Sequence, residues 1–276
     1  MNARFNSMLT ELAGLVRIAA REELLARFES QMFEQRIKQD GSVVTDADRA
    51  MQQRIAVSIQ EHWPEIKFLG EEMSAQEQQQ LLQYHTVCCV DPLDGTSNFS
   101  TGIPFFAISL AIIERQRPIA GLVYDPIRDE CFTAVKSQGC HLNGEPMPAF
   151  SHNDSQPELN KMIAVVDLKR LSKPMAQTIA VQHPFRSQRN FGSCALEWCW
   201  LAAGRFQLYL HGGQKIWDYA AGVLILEEAG GQSSTLAGEP VFNAILEPRS
   251  VVAAQYPAAF EQWYTWIASH DNAGNK

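Results

Sequence analysis

The sequence lacks a long apolar run, an excess of positive charge and cysteines at paired metal-ligand spacing. Its first residues mix Arg4, Glu11 and Arg17 among apolar side chains, so no uninterrupted run approaches the length of a signal peptide or a transmembrane helix. The formal net charge of -8 argues against nucleic acid or an anionic membrane as the main partner. These absences favour a small molecule as the partner.

The cysteines follow neither a metal-binding nor a disulfide pattern. They lie mostly in apolar segments, so we predict reduced thiols in the core of a cytoplasmic protein. With 276 residues, 46% of them hydrophobic, the chain is long enough to bury a substantial core. The six cysteines are Cys88, Cys89, Cys131, Cys140, Cys194 and Cys199.

Predicted helices and strands alternate along the chain without internal repeats, which indicates a mixed α/β class. Apolar residues at helical spacing predict an amphipathic helix over 5–19. Small residues at 220–222 predict a helix that approaches its neighbour closely. Short apolar runs predict strands, the first three of which form an antiparallel meander; they lie at 105–113, 118–124, 130–135, 206–210 and 241–242.

The polar stretch 150–160, which contains Pro157, is the best candidate for a linker. It divides an N-terminal half, residues 1–150, with two helices and an antiparallel sheet, from a C-terminal α/β half, residues 151–276. We predict that the two halves form one compact catalytic unit.

The most informative stretch is residues 91–99, with the sequence DPLDGTSNF. The apolar, β-prone residues 86–90 before it predict a buried strand that ends at Asp91. A proline and a glycine in the motif turn the chain sharply. Two carboxylates, Asp91 and Asp94, and the Thr96 hydroxyl are thereby crowded onto one turn.

Crowded carboxylates require protonation, pairing or a bound cation, because two charges about 4 Å apart repel by roughly 4 kcal/mol at an effective dielectric near 20. The motif holds no Lys or Arg. Oxygen ligands suit a hard ion such as magnesium, which takes part of its shell from a phosphate. The alternative is an Asp-Gly turn that closes a strand, with Asp94 bonded to its own backbone.

Three other acids each have a plain structural interpretation when taken alone. Thr45 and Asp48 have the spacing of a helix capping box. Glu71 follows a short predicted strand, where an acid is usually solvated. Asp218 stands at a helix start, where aspartate is most often a cap worth about 1 kcal/mol.

Taken together, four motifs in this order resemble the inositol monophosphatase family of magnesium-dependent, lithium-sensitive phosphatases. They span nearly the whole chain and are V44-T-x-x-D48, G70-E-E72, D91-P-L-D-G-T-x-N-F99 and W217-D-x-A-A-G222. The resemblance implies a layered αβαβα sandwich with two sheets, commonly assembled as a homodimer. It also implies two to three Mg²⁺ ions in each site.

The resemblance further implies a role for each matching residue. Glu71, Asp91 and the Leu93 carbonyl would hold the first magnesium, which activates the attacking water. Asp91, Asp94 and Asp218 would hold a second ion beside the leaving oxygen, and a third, weaker ion would sit near Glu71. Thr96, helped by Asp48, would take a proton from the water; no catalytic role falls to any histidine. We count Thr96, Asp48 and Glu71 as the catalytic residues.

The residues that contact the substrate are predicted from backbone amide groups and from one position at which this sequence differs from the family. Amides of Gly95 and Thr96 would cradle the phosphate, and the turn at Ser193 and Cys194 would face the substrate, with Asp218 also in contact. Ser193 is additionally predicted to begin a helix. Family members that act on inositol phosphate carry an acid seven positions before the motif aspartate. Here that position is His211, which either contacts the substrate or is a solvated loop histidine.

The predicted function is hydrolysis of a small phosphate monoester by direct attack of metal-activated water. Asp91 and Asp94 are three residues apart, whereas aspartyl-phosphate phosphatases space their two aspartates by two. Inositol monophosphate is the leading substrate; adenosine 3',5'-bisphosphate, histidinol phosphate and sugar (bis)phosphates are alternatives, for which Lys215 and Arg189 could bind a second anionic group. A metal-binding scaffold or sensor without turnover is the non-enzymatic alternative.

Overall fold

The computed structural model describes residues 2–37, 43–149 and 158–271. Residues 150–157 of the predicted linker lie outside the described residues, and the rest of it leads into a short 3₁₀ turn, Leu159–Lys161. The division into halves and the single catalytic unit stay predictions. None of the described helices combines the length and the apolar character needed to cross a bilayer.

The outermost helices on one side come from the N-terminus. Helix α1 (Asn2–Ala19) continues through a π-helical stretch (Ala20–Leu25) into α2 (Ala26–Ser30), and α3 (Asp46–His62) packs beside them. Apolar side chains recur every three or four residues on α1 and α3, so each helix has one buried face. The amphipathic helix predicted over 5–19 is therefore confirmed.

These helices cover one face of a seven-stranded sheet of order β3-β4-β5-β6-β7-β8-β9. β3 and β4 are parallel, and every later pair is antiparallel, so the predicted meander is confirmed. The strands are β3 (Lys67–Gly70), β4 (Thr86–Asp94), β5 (Ala107–Glu114), β6 (Arg117–Asp125), β7 (Glu130–Val135), β8 (Cys140–Leu142) and β9 (Glu145–Pro146).

A central helical layer covers the other face of this sheet. It contains α7 (Cys194–Ala202) and α8 (Ile216–Glu228), and α8 packs on β5 and β6. Because successive strand residues point to opposite faces, Cys88 and Val90 contact the α1–α3 side while Val87 and Cys89 contact the α7–α8 side. A strand covered on both faces reads as a continuous apolar run, which explains the sequence of β5.

A second sheet, of order β11-β10-β12-β14-β13, lies beyond the central helices. Helices α6 and α9 cover its outer face. The layers are therefore helix, sheet, helix, sheet, helix, which confirms the predicted αβαβα sandwich. Its elements are β10 (Ile163–Asp167), α6 (Lys173–Gln182), β11 (Ser187–Arg189), β12 (Leu208–Gln214), β13 (Gln232–Ser234), β14 (Arg249–Ala254) and α9 (Pro257–Asp271).

Two strand predictions differ from the structure. Val241–Phe242 is not a strand; Val241 is buried against the core, and its carbonyl accepts a hydrogen bond from the Arg249 side chain instead of a ladder bond. The strand predicted at 206–210 begins and ends later, at Leu208–Gln214, because its pairing with β14 starts at Leu208 and resumes at Gln214 after a register shift that contains its two glycines. The remaining elements are β1 (Gln35–Ile37), β2 (Val43–Thr45), α4 (Ala75–Leu81) and α5 (Thr96–Ser100).

Candidate active site

The end of β4 carries the first two acids of the site. Its pairing register with β5 shifts between Asp91 and Asp94, so this stretch bulges out of the ladder. The Leu93 N–H donates to Asp91 Oδ1 at 3.0 Å. Gly95 follows with φ +95°, a left-handed conformation that a residue with a Cβ adopts only with strain, and α5 begins at the next residue. The bulge and the glycine together place both carboxylates at the carboxyl end of β4.

The third acid comes from the central helical layer. Asp218 lies in the first turn of α8, where its Oδ2 accepts the Lys215 N–H at 2.8 Å, so it caps the helix as its position suggested. One carboxylate oxygen from each of Asp91, Asp94 and Asp218 lies within 4.8 Å of the others. The structure therefore brings together three acids that are 127 positions apart at their extremes in the sequence (218 minus 91).

Glu71 stands immediately after β3, beside this cluster. Its backbone N–H donates to the Val90 carbonyl at 3.1 Å, which fixes the start of the acidic segment against β4. The charge of Glu71 raises the pKa of all three clustered aspartates. The four acids thus form one electrostatic group.

Burial is the main cause of unusual pKa values in this group. It raises the pKa of Asp91 and Asp218 well above the usual range, and the neighbouring carboxylates raise both further. For Asp94, burial raises the pKa to about 6, although hydrogen bonds from Ser193 and Ala195 oppose the shift. Among the described residues, none of the three forms an ion pair with a basic side chain.

This donor set fits a hard divalent cation. The cluster offers carboxylate oxygens from one strand and one helix, and burial without basic partners leaves its negative charge uncompensated within the protein. Oxygen-only ligands suit Mg²⁺ better than soft transition metals. The clustered acids and Glu71 can therefore hold magnesium.

Metal-free protein is expected to become more stable as the pH falls from 8 to 5. As the pH falls, the raised pKa values make the folded chain take up protons at a higher pH than the unfolded chain, whose aspartates have a pKa of about 4. The destabilisation is complete above the folded pKa values and disappears below the unfolded ones. Each extra proton bound by the folded chain contributes about 1.4 kcal/mol per pH unit.

Urea unfolding in EDTA at several pH values measures this dependence. Asp218→Asn should show a flatter dependence than the wild type, because one of the raised carboxyl groups is gone. Equal slopes in the two proteins would contradict the assignment of this pH dependence to the cluster.

Thr96 and Asp48 form a second group next to the cluster. Thr96 Oγ1 lies 2.9 Å from the Leu93 carbonyl and 3.0 Å from Asp48 Oδ1, so its single hydrogen can be shared between two acceptors. Asp48 Oδ2 accepts the N–H and hydroxyl of Thr45, as one arm of the predicted capping box. Burial raises the pKa of Asp48 to about 6, against the effect of these hydrogen bonds. The acid thus caps α3 and contacts Thr96.

Ser193 precedes α7 as predicted, but its side chain does not cap the helix. Its hydroxyl donates to Asp94 Oδ2 at 2.5 Å, and the Ala195 N–H donates to the same oxygen at 2.7 Å. A carboxylate is a stronger acceptor than a backbone group, so Asp94 replaces the serine as the cap. The acidic cluster and the turn before α7 are thereby joined directly.

His211 is neither in a loop nor solvated, contrary to one of its two predicted interpretations. It lies in β12, is only 4% exposed and has Nε2 3.5 Å from Asp167 Oδ2. Its Nδ1 accepts the Gly213 N–H at 3.1 Å, which places the ring hydrogen on Nε2.

A cysteine-nucleophile relay is excluded by the same geometry. The Cys194 sulfur lies 3.8 Å from His211 Nε2, the same nitrogen that faces Asp167, whereas a relay requires both ring nitrogens. Burial also raises the pKa of the Cys194 thiol. The pair therefore supplies no thiolate nucleophile.

The two basic side chains considered for a second anion have other contacts. Lys215 Nζ donates to the Leu246 carbonyl at 3.0 Å. The exposed Arg189 folds onto Ser187 Oγ at 2.5 Å and the Gln188 carbonyl at 2.7 Å. Neither contact holds the side chain toward the acidic cluster.

Sequence reasoning missed three residues that build this region. Asp167 follows an apolar strand, as Asp91 does, and that pattern could have found it. Glu197 is the one charged residue of the apolar helix α7, which is also a usable signal. Asn98 lies inside the acidic motif, yet no spacing rule distinguishes its side chain from that of a turn asparagine.

Comparison with known proteins agrees with this geometry. The model of the inositol monophosphatase family matches residues 6–271. Inositol monophosphatase 1 of Solanum lycopersicum is 37% identical over 196 residues, which cover 68% of this chain and 70% of that protein. Nus factor SuhB of Haemophilus influenzae is 37% identical over 216 residues, or 76% and 77% of the two chains.

Solved structures of SaIMPase-II have a similar fold over almost the whole chain. With inositol monophosphate bound, that protein superimposes at a TM-score of 0.75 and 28% identity, over 95% of this chain and 94% of the other. With 2'AMP bound, the TM-score is 0.80 at 28% identity, over 96% of both chains. Since the sequence match extends over almost all of the chain and includes the converging acids, the protein belongs to the inositol monophosphatase family and is a phosphatase.

Proposed function

We propose that this phosphatase hydrolyses a small phosphate monoester with magnesium as its cofactor, and that inositol monophosphate is the leading substrate. The observation that carries the proposal is the convergence of Asp91, Asp94 and Asp218 without a basic partner among the described residues. A buried cluster of this charge is stable only if it is protonated or binds cations.

The proposed ligands divide the acids between two principal ions. Glu71, Asp91 and the Leu93 carbonyl hold one, and Asp91, Asp94 and Asp218 hold the other, with a third and weaker position near Glu71. When bound, Mg²⁺ would neutralise phosphate charge and lower the pKa of the attacking water. Asp91 belongs to both sets, so it is the ligand whose loss should matter most.

The protein's own groups move the proton and position the phosphate. Asp48, with a pKa of about 6, is mostly ionised at neutral pH and can accept the proton that Thr96 takes from water. The amides of Gly95 and Thr96 bind the phosphate oxygens, and the turn at Ser193 and Cys194 contacts the rest of the substrate. Positioning and charge neutralisation are the main requirements of phosphoryl transfer.

Inositol monophosphate is favoured by the bound ligand of SaIMPase-II, and 2'AMP bound to the same protein supports an adenosine phosphate as the alternative. His211, with Asp167 beside it, replaces the acid expected for inositol recognition. Because the Nε2–H is directed at Asp167, the remaining acceptor capacity of the Asp167 carboxylate is what the pair offers to a hydroxyl-bearing group.

Phosphate release from a panel of esters tests the proposal directly. Inositol 1-phosphate, 2'AMP, adenosine 3',5'-bisphosphate, histidinol phosphate and fructose 1,6-bisphosphate are each incubated with and without Mg²⁺. We expect release that depends on Mg²⁺, is inhibited by Ca²⁺ and is inhibited by lithium in the millimolar range. Release that persists at full rate in EDTA would overturn the metal assignment.

A scaffold or sensor without turnover is the second candidate, and the name of the Haemophilus influenzae relative, a Nus factor, is the observation in its favour. The presence of every proposed ligand and of Thr96 argues for catalysis. Binding of an ester with no release from any panel member would favour the scaffold. We also propose that the protein is a cytoplasmic homodimer. Analytical sedimentation measures whether the chain is a dimer.

A further inference from the structure

Glu197 is a buried acid for which the proposed reaction has no use. It is 2% exposed in the otherwise apolar helix α7. Its Oε1 accepts the N–H groups of Phe191 at 2.9 Å and Gly192 at 3.1 Å, while its Oε2 accepts the Tyr209 hydroxyl at 2.9 Å. Burial raises the pKa of Glu197 to about 7 despite these donors. The fold thus retains a costly buried carboxyl group beside the turn at residues 191–194.

The same turn is held from its other side by the acidic motif. Asn98 Nδ2 donates to the Phe191 carbonyl at 2.7 Å and to the Phe105 carbonyl at 2.8 Å. The N–H and the carbonyl of Phe191 are therefore both bonded to side chains, one from α7 and one from α5. Ser193, two residues on, donates to Asp94. Glu197 and Asn98 fix the turn relative to the acidic cluster.

Glu197 also connects this turn to the strand that carries His211. The Tyr209 hydroxyl accepts a hydrogen bond from the Gln214 side-chain amide, and Gln214 Oε1 accepts the Trp198 Nε1–H at 2.9 Å. Tyr209 lies two residues before His211 and Gln214 three residues after it, across the register shift that follows His211 in β12. Tyr209, Gln214 and Trp198 are each at most 1% exposed, so the network has no access to water.

We propose that Glu197 is a positioning residue that sets the distance between the 191–194 turn and the His211 segment, and thereby the recognition of the organic part of the substrate. The inference rests on the proposed function, in which both segments face the substrate. The two segments meet where Cys194 contacts His211. The hydrogen bonds of the Glu197 carboxylate go to Phe191, Gly192 and Tyr209, and it affects the acidic cluster only through its charge near Asp94, so the phosphate chemistry should depend on it less.

Steady-state kinetics of the full-length chain with Mg²⁺ test this assignment. The substrates are inositol 1-phosphate and p-nitrophenyl phosphate, which share the phosphate and differ in hydroxyl groups. In Glu197→Leu, KM for inositol 1-phosphate should rise about tenfold with kcat within about threefold, while KM for p-nitrophenyl phosphate changes less than about twofold. Glu197→Gln retains a carbonyl oxygen for the two amides, so its KM should return to within about threefold of the wild type.

Amide exchange provides a measurement that does not need activity. In Glu197→Leu, the Phe191 and Gly192 amides should exchange about tenfold faster, and in Glu197→Gln at nearly the wild-type rate. Should the leucine variant fail to fold, Tyr209→Phe keeps the Oε1 bonds and removes the hydroxyl that joins Glu197 Oε2 to Gln214. It should raise KM for inositol 1-phosphate with unchanged exchange at Phe191 and Gly192.

The outcomes separate this inference from the function on which it rests. Equal losses for both substrates, or unchanged KM and unchanged amide exchange in Glu197→Leu, would overturn the positioning role. If the wild type releases no phosphate from either ester with Mg²⁺, the proposed function fails, and the exchange measurement still decides whether Glu197 anchors the turn.

Discussion

Asp91→Asn is expected to lower phosphate release at least about a thousandfold while leaving the protein folded. Asp91 is the acid that both proposed cation positions share, and asparagine keeps its shape and can still accept the Leu93 N–H. The variant removes a charge that burial and three neighbouring carboxylates disfavour. Metal-free Asp91→Asn should therefore unfold at a temperature equal to or above that of the wild type. The measurements are initial rates with Mg²⁺ and thermal unfolding in EDTA.

Adding Mg²⁺ should separate the wild type from this variant. A cation present at a hundred times its dissociation constant stabilises the folded wild type by about 2.7 kcal/mol, and the variant should show little of this gain. Asp129→Asn is the matched control, because the Asp129 side chain is exposed and its partners, Arg17 and Tyr124, lie outside the acidic cluster. The control should keep wild-type activity and its full response to Mg²⁺. Activity above a tenth of the wild type in Asp91→Asn would reject the shared-ligand assignment.

Much of the layered fold follows from apolar periodicity. The continuous apolar run of β4 is typical of a strand covered on both faces, helical spacing on α1 predicts one of the covering helices, and the structure has that arrangement. Val241 shows the limit of this reasoning, because its burial satisfies the apolar signal without any strand ladder. Periodicity reports which side chains are buried and not which backbone groups pair.

Without the family resemblance, the sequence predicted only the part of the site whose residues are neighbours in the chain. Asp91 and Asp94 are close in sequence, so their crowding is a local property, whereas the approach of Asp218 depends on how α8 packs against β5. Ser193 and His211 show the same dependence on tertiary contacts. Each was assigned from its neighbours in sequence, and each has its decisive partner, Asp94 or Asp167, on another element.

Gly222→Ala is expected to destabilise the protein by about 3 kcal/mol or more, a large effect for one methyl group. A Cβ at Gly222 would lie 2.4 Å from Trp198 Cβ and 2.5 Å from its Cγ, far inside van der Waals contact. Trp198 cannot retreat, since it is fully buried, packs edge-on against Tyr209 and donates Nε1–H to Gln214. Helices α7 and α8 must separate, which confirms by geometry the close approach predicted for residues 220–222.

The displacement should also reach the active site, because α8 carries Asp218 one turn before Gly222. We expect weaker Mg²⁺ stabilisation as well as a lower unfolding temperature. Gly14→Ala is the control: Gly14 is exposed on α1, a Cβ there has no atom within 4 Å, and alanine should stabilise the helix by up to about 1 kcal/mol. Chemical unfolding of both variants measures the difference. A Gly222→Ala protein as stable as the wild type would show that the two helices have room to move apart, and that the position of Asp218 does not depend on this contact.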